Sequence, residues 1–268
     1  MALQVERVVD SGDRLGECPL WDGRALWWVD IHGPAIKRYE TALEEFALAQ
    51  PVGSIAFRAQ GGLLAAMQTG IFSFAEGRLE PLVSVENGAF RFNDGRVDRA
   101  GRFFWCGTMR EPDHPPGGAL YRFSAEMDFL VARAGVRVPN GLAWSPDGAT
   151  MYFADSPRHK IWAFDYDADR GALSNERLFA APHPGFPDGS CVDAEGCLWN
   201  AEYGGARVAR YTPAGKLDRV VEVPAQNPTC CCFGGSRLDT LFITTQGGAG
   251  LFACLPGVAG LPEPRLRG

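Results

Sequence analysis

The sequence has no apolar run near the roughly 18 residues of a membrane span. Its opening, Met-Ala-Leu-Gln-Val-Glu-Arg, has no basic segment leading into an apolar one, so no secretory leader is visible. These absences point to a cytoplasmic protein with no membrane partner. No long amphipathic helical period is present, which argues against a helical fold. The familiar catalytic signatures are also missing. There is no Gly-x-Ser-x-Gly elbow, no His-Glu-x-x-His, no P-loop and no Gly-x-Gly-x-x-Gly after a strand. Histidine is scarce: His32, His114, His159 and His183 all fall in expected loops and read as surface residues. The net charge of -6 argues mildly against a nucleic-acid surface. Eight cysteines are present, but no Cys-x-x-Cys pair and no histidine at finger spacing. Cys230, Cys231 and Cys232 are consecutive in an expected strand, where side chains alternate between faces. The thiols therefore read as small core hydrophobes.

What the chain does have is glycine (33) and proline (19) in 268 residues, a composition that suits short strands and tight turns. Turn glycines recur at Gly23, Gly62, Gly101, Gly148, Gly196 and Gly235, spaced by 39, 39, 47, 48 and 39 residues. That period is the length of a four-stranded propeller blade. An apolar, β-prone run follows each turn: Ala25–Asp30, Leu63–Met67, Phe103–Gly107, Thr150–Ala154, Cys197–Ala201 and Leu241–Thr245. A third short strand is expected at Ile36–Tyr39, Ile71–Phe74, Ala119–Phe123, Ile161–Asp165, Val208–Tyr211 and Gly250–Ala253. The expected fold is all-β: one six-bladed β-propeller domain over residues 1–268. The last blade lacks an outer strand, and Leu3–Val9 is expected to supply it, closing the ring and covering a sheet edge.

Four segments look like copies of one another: Glu17-Cys-Pro-Leu-Trp-Asp-Gly23, Asn93–Gly101, Asn140–Gly148 and Asp188–Gly196. Each begins with a polar residue, eight positions before the turn glycine, or six in the first, whose turn is shorter. In a propeller the first strand of a blade lines the channel, so these residues would meet at one mouth. Gly53-Ser54 and Asn227 hold the corresponding place in the other two repeats. Two carboxylates and an amide oxygen suit a divalent cation with positions left open. Alternatively, Asn-Gly and Asp-Gly are turn signals, and Glu17 could pair with Arg14. Arg91 and Asn93 are two apart and face one side of a strand. They could hold the hydroxyls or carbonyl of a ligand, or Arg91 could pair with a carboxylate. The seven tryptophans read as core. The turn-rich insertion Arg110–Gly118 suits a lid and equally an inert loop.

These residues resemble the senescence-marker-protein/gluconolactonase/regucalcin family along nearly the whole chain. The resemblance rests on Leu15-Gly-Glu-Cys-Pro-Leu-Trp21, Arg91-Phe-Asn-Asp-Gly-Arg-Val-Asp98 with Gly107-Thr-Met109, and Pro139–Gly148. Phe164-Asp-Tyr-Asp167, Pro187–Trp199 and Cys231-Cys-Phe-Gly-Gly235 add to it. It implies a six-bladed propeller with one catalytic divalent cation: Ca, Zn, Mn, Mg or Fe. Glu17, Asn140 and Asp188 match the family's metal ligands, and Asp188 also matches its general base. Arg91 matches a substrate-binding arginine, and Asn93 matches a residue near the metal that contacts substrate or a metal-bound water. Glu111 is nearest to the acidic contact of the family's lid, although Pro112, Pro115 and Pro116 make this lid unlike that of the animal members. The implied reaction is hydrolysis of a sugar lactone to its aldonic acid by a monomer or weak homo-oligomer. Rival readings are a broader esterase or organophosphate hydrolase, a calcium-binding regulatory protein, and an interaction scaffold.

Overall fold

All six turn glycines adopt positive φ, from 70° at Gly101 to 104° at Gly23. Only glycine enters that region without a steric penalty, so the 39-to-48-residue period marks real chain reversals. A computed structural model describes residues 3–85, 90–110 and 117–268 of the chain. The described residues form twenty-four strands, β1 to β24 in chain order, in six antiparallel four-stranded sheets and no α-helix. None of these elements is a helix long and apolar enough to cross a membrane.

The innermost strands are β2 (Gly16–Trp21), β6 (Val52–Phe57), β10 (Phe90–Val97), β14 (Pro139–Trp144), β18 (Phe186–Val192) and β22 (Pro228–Gly234). Each touches the next, and β22 returns to β2, so the six blades make a propeller ring. The second strands include β3 (Leu26–Asp30), β11 (Phe103–Arg110), β15 (Thr150–Asp155) and β19 (Leu198–Tyr203). These bounds agree with the sequence expectations to within a few residues. Apolar residues on the faces of adjacent sheets interlock between blades: Leu20, Val29 and Ile36 meet Ile55, Phe57 and Leu63. Trp28, Trp105 and Trp199 are fully buried, so these three are core rather than sugar platforms. All eight cysteines are buried free thiols, as expected of small hydrophobes.

Both termini close the ring. Strand β1 (Glu6–Val9) pairs antiparallel with β24 (Leu251–Cys254), Glu6 opposite Ala253, and becomes the outer strand of the sixth blade. The expected N-terminal closure is present, and it covers an edge that would otherwise offer unpaired N–H and C=O groups. The last residues form a strap that the sequence period does not reveal. Ala194 N donates to Ala259 O and Gly260 N to Leu238 O. Leu266 N donates to Phe57 O and Arg267 N to Gly101 O. One short segment thus ties blades 2, 3, 5 and 6 at the end where the turn glycines lie. From it Glu263 reaches the buried Arg96 at 3.6 Å.

Candidate active site at the channel mouth

The inner strands share one irregularity. Glu17 pairs with Val29 but Leu20 with Trp27, so three steps on β2 match two on β3. The same extra residue falls between Phe92 and Gly95, between Asn140 and Ala143, and between Pro187 and Ser190. Two shorter forms of it occur between Val52 and Ser54 and between Pro228 and Cys230. A bulge of this kind bends the strand and re-aims the side chains beside it. Glycine allows the bulged strands to come close. A Cβ on Gly189 would collide with Cys230 Sγ on the neighbouring inner strand.

The re-aimed side chains converge. Glu17, Arg91, Asn93, Asn140 and Asp188 line a single cavity of about 300 Å³ at the mouth. Each is almost wholly enclosed, with 4–7% of its surface exposed. The equivalent residues of the other two repeats do not join them: Ser54 lies under Gly95, and Asn227 donates to Gln246 Oε1 at 3.3 Å. Glu111, expected to touch substrate, lies outside the described residues, as do its neighbours through Pro116. The strand before it, β11, ends at the mouth, where Arg110 pairs with Phe90 and stacks on its ring at 4.4 Å.

A chain of hydrogen bonds fixes the polar groups. Arg91 Nη1 donates to Phe92 O at 3.1 Å and to Asn93 Oδ1 at 2.7 Å. Asn93 Nδ2 donates to Pro139 O and to Asn140 Oδ1, both at 2.9 Å. Asn140 Nδ2 donates to Ser156 Oγ at 2.8 Å, and Ser156 Oγ to Pro187 O at 2.7 Å. Asn200, buried on β19, donates to Asp188 O at 2.7 Å and holds the backbone of that carboxylate.

The carboxylates are in a costly position. Burial, and then the charge of Asp94, pushes Glu17 up from the usual carboxylate range to about 8. Burial also pushes Asp188 well above the usual carboxylate range, with Glu17 and Asp94 adding to it, while Arg91 pulls both back. Asp188 Oδ1 is buried with no hydrogen-bond partner among the described residues. An orphaned carboxylate oxygen beside a second buried carboxylate and an amide oxygen forms a hard donor set, and these residues fit a divalent cation. A second acidic group, Asp193, Glu195 and Cys197, clusters at the turn end of blade 5. There Arg210 donates to Asp193 and Glu195 at 2.8 and 2.6 Å, so its guanidinium already balances them.

The family profile described as "SMP-30/Gluconolactonase/LRE-like region" matches residues 15–247. The chain belongs to that family. Within the SMP-30/gluconolactonase family, it is 39% identical to the 6-deoxy-6-sulfogluconolactonase of Pseudomonas putida, over 89% of this chain and 86% of that protein. It is 36% identical to the pentonolactonase XacC of Haloferax volcanii, over 92% of this chain and 87% of that one. A solved structure of a calcium-binding protein, regucalcin, from Agrobacterium tumefaciens superimposes with a TM-score of 0.93. That pair is 27% identical and covers 100% of this chain and 98% of the other.

Sequence reasoning missed several residues that line or brace the cavity. Ser156 opens a single 3-10 turn, Ser156–Arg158, immediately after β15. Asp30 and Asp155 end the second strands of blades 1 and 4. Asp30 accepts from Arg14 N and Leu15 N, and Asp155 from Arg137 N and Val138 N. They hold the segments that lead into Glu17 and Asn140. Their shared register, an apolar strand ending in Asp, was the available signal. His32 also lines the cavity, at its exposed rim. Tyr203 and Gln246, hydrogen-bonded to each other, line the wall formed by blades 5 and 6.

Proposed function

We propose that this protein hydrolyses a sugar lactone to its aldonic acid in the mouth cavity, with one divalent cation held by Glu17, Asn140 and Asp188. The observation that carries this reading is Asp188 Oδ1, unpartnered among the described residues and buried in one cavity with Glu17 and the oriented amide of Asn140. Two buried carboxylates of like charge are unfavourable alone and become favourable around a cation. The two lactonase relatives, each matched over most of this chain, support the substrate class. Glu17, Asn140 and Asp188 would hold the cation, which when bound would supply Lewis-acid stabilisation of the negative charge developing on a lactone carbonyl, an effect of several kcal/mol.

The protein's own groups supply the rest. Arg91 is braced by Asn93 and by Phe92 O, so its guanidinium meets sugar hydroxyls in a fixed orientation. Asn93 bridges Arg91 and Asn140 and couples the substrate side of the cavity to the ligand side. Asp188 takes a proton from the attacking water as its oxygen bonds to the carbonyl carbon. The ring C–O bond then breaks, and the ring oxygen leaves as a hydroxyl carrying that proton.

The test is a panel of aldonolactones assayed on chelator-stripped protein with Ca²⁺, Zn²⁺, Mn²⁺, Mg²⁺ or Fe²⁺ restored singly. Turnover that tracks cation occupancy supports the reading. Tight calcium binding with no turnover favours a regulatory protein instead, and turnover of simple esters or phosphotriesters but no lactone favours the broader hydrolase.

A further inference from the structure

Asn140 can serve a cation only through its oxygen, and an amide can turn either end toward the cavity. We infer that Ser156 is a positioning residue that holds this orientation together with Asn93. The assignment follows from which groups can only accept. Pro187 O lacks a proton, so the Ser156 hydroxyl donates to it at 2.7 Å. Ser156 Oγ then has only lone pairs left for its second neighbour, 2.8 Å away on Asn140. That neighbour must be the amide nitrogen, which sends Asn140 Oδ1 to the opposite side.

The same logic runs from the other direction. Pro139 O can only accept, so Asn93 presents its nitrogen there at 2.9 Å. The same nitrogen reaches Asn140 at 2.9 Å and therefore meets an oxygen. Two backbone carbonyls thus lock one amide from both sides. Ser156 is itself buried, and its backbone N–H donates to Val138 O, two residues before Asn140. Its link to Pro187 O, the carbonyl preceding Asp188, ties the blade-4 ligand to the blade-5 ligand. A bare hydroxyl therefore registers two ligands that stand 48 residues apart in sequence.

This inference rests on the cation site proposed above, and the test separates the two. Mn²⁺ affinity is measured by calorimetry on stripped protein for wild type, Ser156→Ala, Asn140→Asp and the double variant. Thermal melting of the stripped forms is measured alongside. Ser156→Ala is expected to weaken Mn²⁺ about 10- to 100-fold, the usual cost of losing an outer-shell partner of a metal ligand. In Asn140→Asp both terminal atoms are oxygens, so orientation no longer matters. Adding Ser156→Ala there is expected to change affinity less than about threefold, because the two positions are coupled. A merely structural serine would cost the same in both backgrounds, which would overturn the inference. Unchanged Mn²⁺ affinity in Ser156→Ala would also overturn it while leaving the cation site intact. A wild type that binds no Mn²⁺ or other divalent cation would remove the site and the inference together.

Discussion

Asn93 on blade 3 donates its amide hydrogen to Asn140 Oδ1 on blade 4 at 2.9 Å. The two residues hold equivalent places in their repeats, yet they do opposite things. Asn140 turns its oxygen to Asn93 and accepts, whereas Asn93 turns its oxygen to Arg91 and donates. The difference comes from their neighbours: Arg91 stands two residues before Asn93, and Val138 before Asn140. Equivalent backbone positions acquire different jobs from the residues around them.

Replacing Arg91 by lysine keeps the charge but removes the planar fork that braces on Asn93 and Phe92 O. The expected result is a KM raised about tenfold or more for the preferred lactone, with kcat reduced less. Steady-state kinetics on one lactone checks this. A kcat loss with unchanged KM would mean that Arg91 acts in the chemical step instead.

Asp188→Asn preserves shape and removes both the charge and the basic oxygen. Turnover is expected to fall by about 10²- to 10⁴-fold, the usual share of a positioned base. Cation affinity falls with it, because one of two anionic ligands is lost. Calorimetry and the lactone assay on the same preparation measure the two effects together.

Burial raises Glu17 from its ordinary value of 4.5 to about 8, and Asp188 moves in the same direction. Between pH about 5 and 8 the cation-free native state therefore holds more protons than the unfolded chain. Its stability carries no penalty below the unfolded carboxylate range and loses ground as pH rises through the folded value. Cation binding displaces those protons, so it stabilises more at high pH. The rise in melting temperature on adding saturating Mn²⁺ is expected to grow from pH 5 to pH 8. A constant increment would contradict this assignment of the buried charges.

The blade count was legible because glycine marks each turn with a conformation that other residues avoid, and the apolar strands follow at fixed offsets. The mouth residues were legible because they share a register with those turns. The bulges were not, since an extra residue in β2 or β18 shows only when the partner strand is counted against it. Ser156 was hidden for a related reason: nothing in Asp-Ser-Pro-Arg shows that its hydroxyl spans two blades. The C-terminal strap obeys no repeat, so the period that revealed the blades passed over it.

Removing residues 1–9 exposes the edge of β24, and removing 256–268 cuts the strap and leaves Arg96 without Glu263. Each truncation is expected to lower the melting temperature by at least about 5 °C, the equivalent of a few kcal/mol in a chain of this size. Differential scanning calorimetry reads both. An unchanged midpoint after the first deletion would mean that β1 does not close the ring.

The central claim is that Asp188, Glu17 and Asn140 hold one cation that drives lactone opening. It is tested most directly by following proton release from an aldonolactone while Mn²⁺ is titrated into stripped protein. The account predicts turnover that rises in proportion to occupancy of a single site and disappears in Asp188→Ala. Full lactonase activity in Asp188→Ala, or in wild-type protein shown to be free of divalent cations, would contradict it.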